Sequence, residues 1–114
     1  MINVLIKKTK EGIPYYVQAS GHALYDDPGK DIVCCAVSTL MIVIANSMEL
    51  NTKDKVIIDE DDKNTCITIE MPTIKDNKAS EELKVLSKTL YLGITQVKEE
   101  YEHKYISVKE EIQC

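Results

Sequence analysis

A cysteine becomes a good nucleophile near neutral pH when its thiolate sits in a favourable field and a base lies within reach. The stretch 21–40, GHALYDDPGKDIVCCAVSTL, holds candidates for both. His22 stands in a segment bounded by Gly21 and Gly29 and containing Asp26, Asp27 and Pro28, a strong turn cluster. Cys34 follows in what reads as the first turn of an apolar helix, with Asp31 where an N-cap belongs. Unpaired N–H groups and the positive dipole end at such a position favour a thiolate. The same donors can receive the oxyanion of a tetrahedral intermediate. The segment therefore reads as the centre of a cysteine-dependent hydrolase.

Helical spacing puts Asp31, Cys34 and Ser38 on one face. Cys35 is turned about 100° away, so the two thiols cannot serve one site in the same way. Spacing alone leaves open which of them is the nucleophile. Ser38 reads first as a helix serine bonding back to the carbonyl of residue 34, and second as a substrate-positioning group. Asp31 either caps the helix or orients His22. The cap is the preferred reading, because the position fits capping so directly; a negative charge beside Cys34 would also oppose thiolate formation. Gly21 and Gly29 can absorb large backbone changes, so both are expected to act as hinges that bring His22 to Cys34 over a bound substrate.

The elements that must position these residues follow from periodicity. Residues 2–8 alternate apolar and polar, a turn covers 9–12, and residues 13–20 alternate again, which predicts a hairpin. The helix after Asp31 runs to about Leu50 and is hydrophobic nearly all round, so it is expected at the centre of the domain or partly in an oligomer interface. Its apolar run, broken by Ser38 and Thr39, falls short of a membrane span. Residues 55–60 and 65–70 predict a second hairpin ended by Pro72. Residues 76–98 predict an amphipathic helix with Leu83, Leu86, Leu90 and Ile94 near helical spacing, and 104–112 a last strand. The order β-β-α-β-β-α-β is that of a single α+β domain over 1–114, with helices packed on a mainly antiparallel sheet.

Composition narrows the function classes. The 14 cationic residues are all lysine, there is no Arg, Trp or Phe, and the net charge is −5. Without arginine forks and with an acidic field, direct nucleic-acid binding is not expected; a basic peptide or protein partner fits better. The opening MINVLIKKTKEG reads as a strand rather than a secretion signal, so a cytoplasmic protein without membrane attachment is expected. Of the four cysteines, Cys34 and Cys35 are adjacent and a vicinal bridge is strained, so structural disulfides are not expected with Cys66 or Cys114 in a reducing compartment.

The arrangement GHA, then a glycine, then DIVC-x-AVS-x-L resembles the ribosomal-processing cysteine protease (Prp) family of bacteria. The likeness covers the whole chain in length, element order and acidic balance. Members of that family remove a short N-terminal leader from large-subunit ribosomal protein twenty-seven, a basic protein whose leader contains Phe near the cut. The resemblance implies that Cys34 is the nucleophile and His22 the proton donor and acceptor, with no cofactor and no metal. It also points to a homodimer. The family usually has alanine where this chain has Cys35, which places that residue in an alanine-like core slot.

Plainer readings apply elsewhere. Cys66 on its strand reads as packing or surface, Cys114 as a terminal thiol, and His103, beside Glu99, Glu100 and Glu102, as a solvated histidine. A zinc site from His22, Cys34, Cys35 and His103 is disfavoured because adjacent helical cysteines diverge and no Cys-x-x-Cys spacing exists. The acidic run Asp59, Glu60, Asp61, Asp62 reads as a solvated hairpin tip that can steer a basic tail. The alternative to the protease is a non-enzymatic, ribosome-associated or redox-responsive binding domain. A weaker third reading is acyl transfer on a small thioester, which no Gly-rich phosphate loop supports.

Overall fold

The computed structural model describes residues 1–21, 28–61, 66–101 and 104–113, with residues 28–31 described by backbone alone. His22, His103 and Cys114, residues 62–65 of the expected hairpin tip and the Asp31 side chain lie outside the described residues.

Alternation does what it predicts in the first hairpin. β1 (Ile2–Lys8) pairs antiparallel with β2 (Pro14–Ser20), and Ile2, Val4, Ile6, Val17 and Ala19 are buried on one face. The turn between them is closed by Thr9, whose carbonyl accepts the Gly12 amide and whose hydroxyl accepts the Ile13 amide at 3.2 Å. β3 (Ile57–Asp61) and β4 (Cys66–Glu70) form the second hairpin, and β4 joins β2 antiparallel. β5 (Ile106–Ile112) lies parallel to β1. The sheet order is β3-β4-β2-β1-β5, so the one parallel pair closes the edge opposite the second hairpin.

Both long helices cover one face of this sheet. α1 (Pro28–Asn51) buries Val33, Val37, Met41, Ala45 and Met48, spaced by three and four residues. Each of the larger of these side chains contributes about 1.5–3 kcal/mol of burial. By length and composition Ile32–Asn51 is apolar enough to cross a membrane, contrary to the shorter run read from the sequence. In the fold it is instead the helix on which the core is built. α3 (Glu81–Glu100) buries Leu83, Ser87, Leu90 and Ile94, and the Ser87 hydroxyl donates to the Pro14 carbonyl. Gly93 on α3 meets Leu40 on α1, close enough that a β-carbon would stand 2.9 Å from the Leu40 Cδ2.

The second predicted helix starts later than expected. Of the predicted span 76–98, residues 76–80 are not helical: α3 starts at Glu81, and a separate four-residue α2 (Pro72–Lys75), not expected from the sequence, precedes them. Pro72 starts α2, where its missing amide costs nothing. Asn77 takes φ 59°, a left-handed conformation that asparagine tolerates, and so ends the turn. Ser80 then caps α3 by accepting the Leu83 amide at 3.2 Å. Asp54, in the α1–β3 connection, ties these pieces together. It accepts the Thr73 hydroxyl at 2.7 Å, the Ser80 amide at 3.0 Å and the Ser80 hydroxyl at 2.5 Å. Burial pushes its carboxyl up, but these hydrogen bonds outweigh burial and hold it below the usual range.

Candidate active site

The residues that could do chemistry lie where β2 hands over to α1. β2 ends at Ser20, and Gly21 leaves it at φ 88°, a conformation that side chains rarely adopt. A β-carbon there would stand 2.6 Å from the Met1 carbonyl oxygen, so both the angle and the space require glycine. The chain is thus turned sharply off the sheet immediately before residue 22.

α1 begins four residues earlier than expected, and this changes the local chemistry. Pro28 opens the helix, because its fixed φ and absent N–H suit the first position. Gly29 therefore lies in the first helical turn rather than in a loop, and Asp31 is the fourth helical residue rather than the cap. Cys34 becomes the seventh residue of α1. It is past the four orphan amides of the helix start, so its own N–H belongs to the helix ladder. Donors for an oxyanion would have to come from outside this turn, and the dipole contributes less here than at the first position.

Cys34 is half-buried and packs against the core cluster. Ser38, also half-buried, lies one turn further along the same flank. Cys35 faces outward. It is exposed, with its Sγ 4.0 Å from the Thr39 Oγ1, in contrast to the core slot expected from its alanine-like position. The physical reason is phase: Val33 and Val37 point at the sheet, so residue 35 is turned about 160–200° from them. All three described cysteines are thiols, and Cys66 sits on β4 with its Sγ 3.9 Å from the Thr68 Oγ1. The two thiols of the pair are thus in different surroundings, one against the core and one in solvent. The fold brings Cys34 and Ser38 together; His22 and the Asp31 side chain, which the sequence reading adds to them, lie outside the described residues.

Sequence reasoning missed the Asp54–Ser80–Thr73 staple, although Ser80 followed by Glu81 and Glu82 was a legible helix start. It also missed the groove of about 390 Å³ between the two long helices, walled by Ala36, Leu40, Gly93 and Tyr101.

The family model for cysteine protease Prp matches residues 1–107. Two crystal structures of the essential ribosomal processing protease Prp from S. aureus are similar to this chain at 25% identity, covering 97% of it and 100% of their own chains. One, in complex with a substrate peptide, has a TM-score of 0.84; the other, with a covalently linked product peptide, 0.81. A crystal structure of a Streptococcus mutans protein is 30% identical over 99% of both chains, with a TM-score of 0.83. No curated protein matches the sequence. A family model spanning nearly the whole chain, together with the shared fold, makes this protein a member of the cysteine protease Prp family.

Proposed function

We propose that this cysteine protease removes the N-terminal leader of large-subunit ribosomal protein twenty-seven, with Cys34 as nucleophile and His22 as proton donor and acceptor. The observation that carries the reading is the environment of Cys34: a thiol held half-buried against the core, on the element that follows the glycine-bounded histidine segment. The S. aureus relative, crystallised with a covalently linked product peptide, supports a mechanism in which the enzyme itself bonds to the peptide.

In this mechanism His22 takes the Cys34 proton and the thiolate attacks the scissile carbonyl. The tetrahedral intermediate collapses to a thioester as His22 protonates the leaving amine. Water, deprotonated by His22, then cleaves the thioester and restores the thiol. Ser38, one turn beyond the thiol, is placed to position substrate, and Gly21 aims the histidine segment. Gly29, now within α1, can serve as a hinge only if the first helical turn opens.

The same reading includes a cytoplasmic homodimer. Ile32, Ile42, Val43 and Leu50 on α1, with Val85 and Leu92 on α3, are exposed large apolar side chains concentrated on the helical side, Leu50 at 82%. Such a concentration is what a covered interface leaves on an isolated protomer. A monomer in sedimentation at micromolar concentration would remove this part. The function itself is tested by incubating the protein with the ribosomal protein precursor of the same organism and weighing the products. One N-terminal cut is expected, and an uncut precursor would refute the assignment.

A further inference from the structure

In the sheet order β3-β4-β2-β1-β5, α1 packs over β4, while α3 packs over β2 and β5. The two helices meet through Leu40 and Gly93. At about 100° per residue, Cys34 and Ser38 stand about 120° and 160° round α1 from Leu40. Both therefore occupy the flank of α1 turned away from α3, and in this sheet that flank is the one above β3.

β3 is an edge strand. Its inner edge pairs with β4, and no strand among the described residues pairs with its outer edge. An unpaired edge is a row of backbone donors and acceptors ready to receive an extended chain. The register says where its side chains go. Glu60 lies opposite Ile67, which lies opposite Ala19 of the buried, helix-facing row. Glu60 is thus on the helix side of the edge, the face of the sheet that α1 covers. Asp59, opposite Thr68, is on the other face, and both acids are exposed. Ile57–Asp61 carries three acids and no base, in a chain of net charge −5.

We propose that the outer edge of β3 receives an extended basic segment of the substrate as an added strand, and so carries the peptide backbone beneath Cys34. The occupant follows from charge: proteins that bind RNA are rich in Lys and Arg, and an acidic edge attracts them. Backbone pairing supplies register without demanding sequence, while Asp59 and Glu60 select lysine or arginine on alternate faces. This rests on the reading of the chain as the processing protease acting through Cys34. The competing role for acids on an edge strand is to keep other edges away, and it predicts no effect on catalysis.

The experiment uses wild-type protein and a set of peptides spanning the leader junction of ribosomal protein twenty-seven, each with one backbone amide N-methylated. A strand added to β3 predicts loss of kcat/KM at every second position through the docked segment, because only alternate amides face the edge. Alongside it, Asp59→Lys and Glu60→Lys should each raise KM about threefold for the unmodified peptide, with the effect shrinking as salt rises. Either an N-methyl series without a two-residue period or a KM unmoved by charge reversal would overturn the docking strand. Failure of wild-type protein to cut the unmodified peptide or the precursor would instead overturn the processing function on which it rests.

Discussion

The Met1 carbonyl oxygen and Gly21 are so close that a β-carbon on residue 21 would lie 2.6 Å from it. Residue 21 also sits at φ 88°, so two independent constraints fix glycine at the point where the chain leaves β2 for the histidine segment. Gly12 in the first hairpin turn has nearly the same angle, 87°, but nothing within 4 Å. The comparison separates angle from space. Gly12→Ala should cost about 1 kcal/mol for the left-handed angle, or about 4 °C in Tm for a domain of this size. Gly21→Ala should cost at least twice that, because a backbone carbonyl cannot swing aside as a side chain can. Equal melting temperatures for the two variants would show that the contact with Met1 does not matter.

Asp54 gathers three donors from two other elements, and its removal orphans all of them. Asp54→Ala is expected to destabilise the protein by about 2–3 kcal/mol in urea unfolding. The same group sets a pH dependence. Its folded-state pKa lies below the ordinary value, so the stabilisation is complete above the unfolded carboxylate pKa of about 3.9. It is lost as the pH falls through the lower folded value. The stability gap between wild type and Asp54→Asn should therefore hold constant from pH 7 down to about 5 and narrow below 4. A gap that does not change with pH would mean that the carboxylate charge plays no part.

Gly93 and Leu40 set the spacing of α1 and α3. Alanine in mid-helix gains about 1 kcal/mol over glycine. A β-carbon 2.9 Å from the Leu40 Cδ2 forces that side chain from its place, a cost of about 1–3 kcal/mol. Gly93→Ala alone should thus be mildly destabilising. In a Leu40→Ala background the obstruction is gone, and the same change should become stabilising by about 1 kcal/mol. A double-mutant cycle without this reversal would refute close packing at the crossing.

Much of the fold was legible because its signals are local. Alternation in residues 2–8 and 13–20 marked the first hairpin, and the apolar periodicity after residue 31 marked α1. What failed was decided by competition between local signals. Pro28-Gly29 reads as a turn, yet proline at a first helical position is equally favourable, and the helix absorbs both residues together with Asp31. That shift of four residues is why Cys34 leaves the orphan amides. Cys35 was assigned to the core from its alanine-like slot, but phase relative to Val33 and Val37 sends it into solvent. The late start of α3 was hidden because Asn77 is compatible with a helix until its left-handed angle is seen. The Asp54 staple joins residues 19 and 26 apart in sequence, which no local pattern encodes.

We propose Cys34, and not its exposed neighbour, as the nucleophile, paired with His22. The most direct test is mass spectrometry of the ribosomal protein precursor after incubation with wild type, Cys34→Ala, Cys35→Ala and His22→Ala, each shown to be folded. The account predicts one N-terminal cut by wild type and Cys35→Ala, and none by Cys34→Ala or His22→Ala. A cut that survives Cys34→Ala and disappears with Cys35→Ala would contradict it.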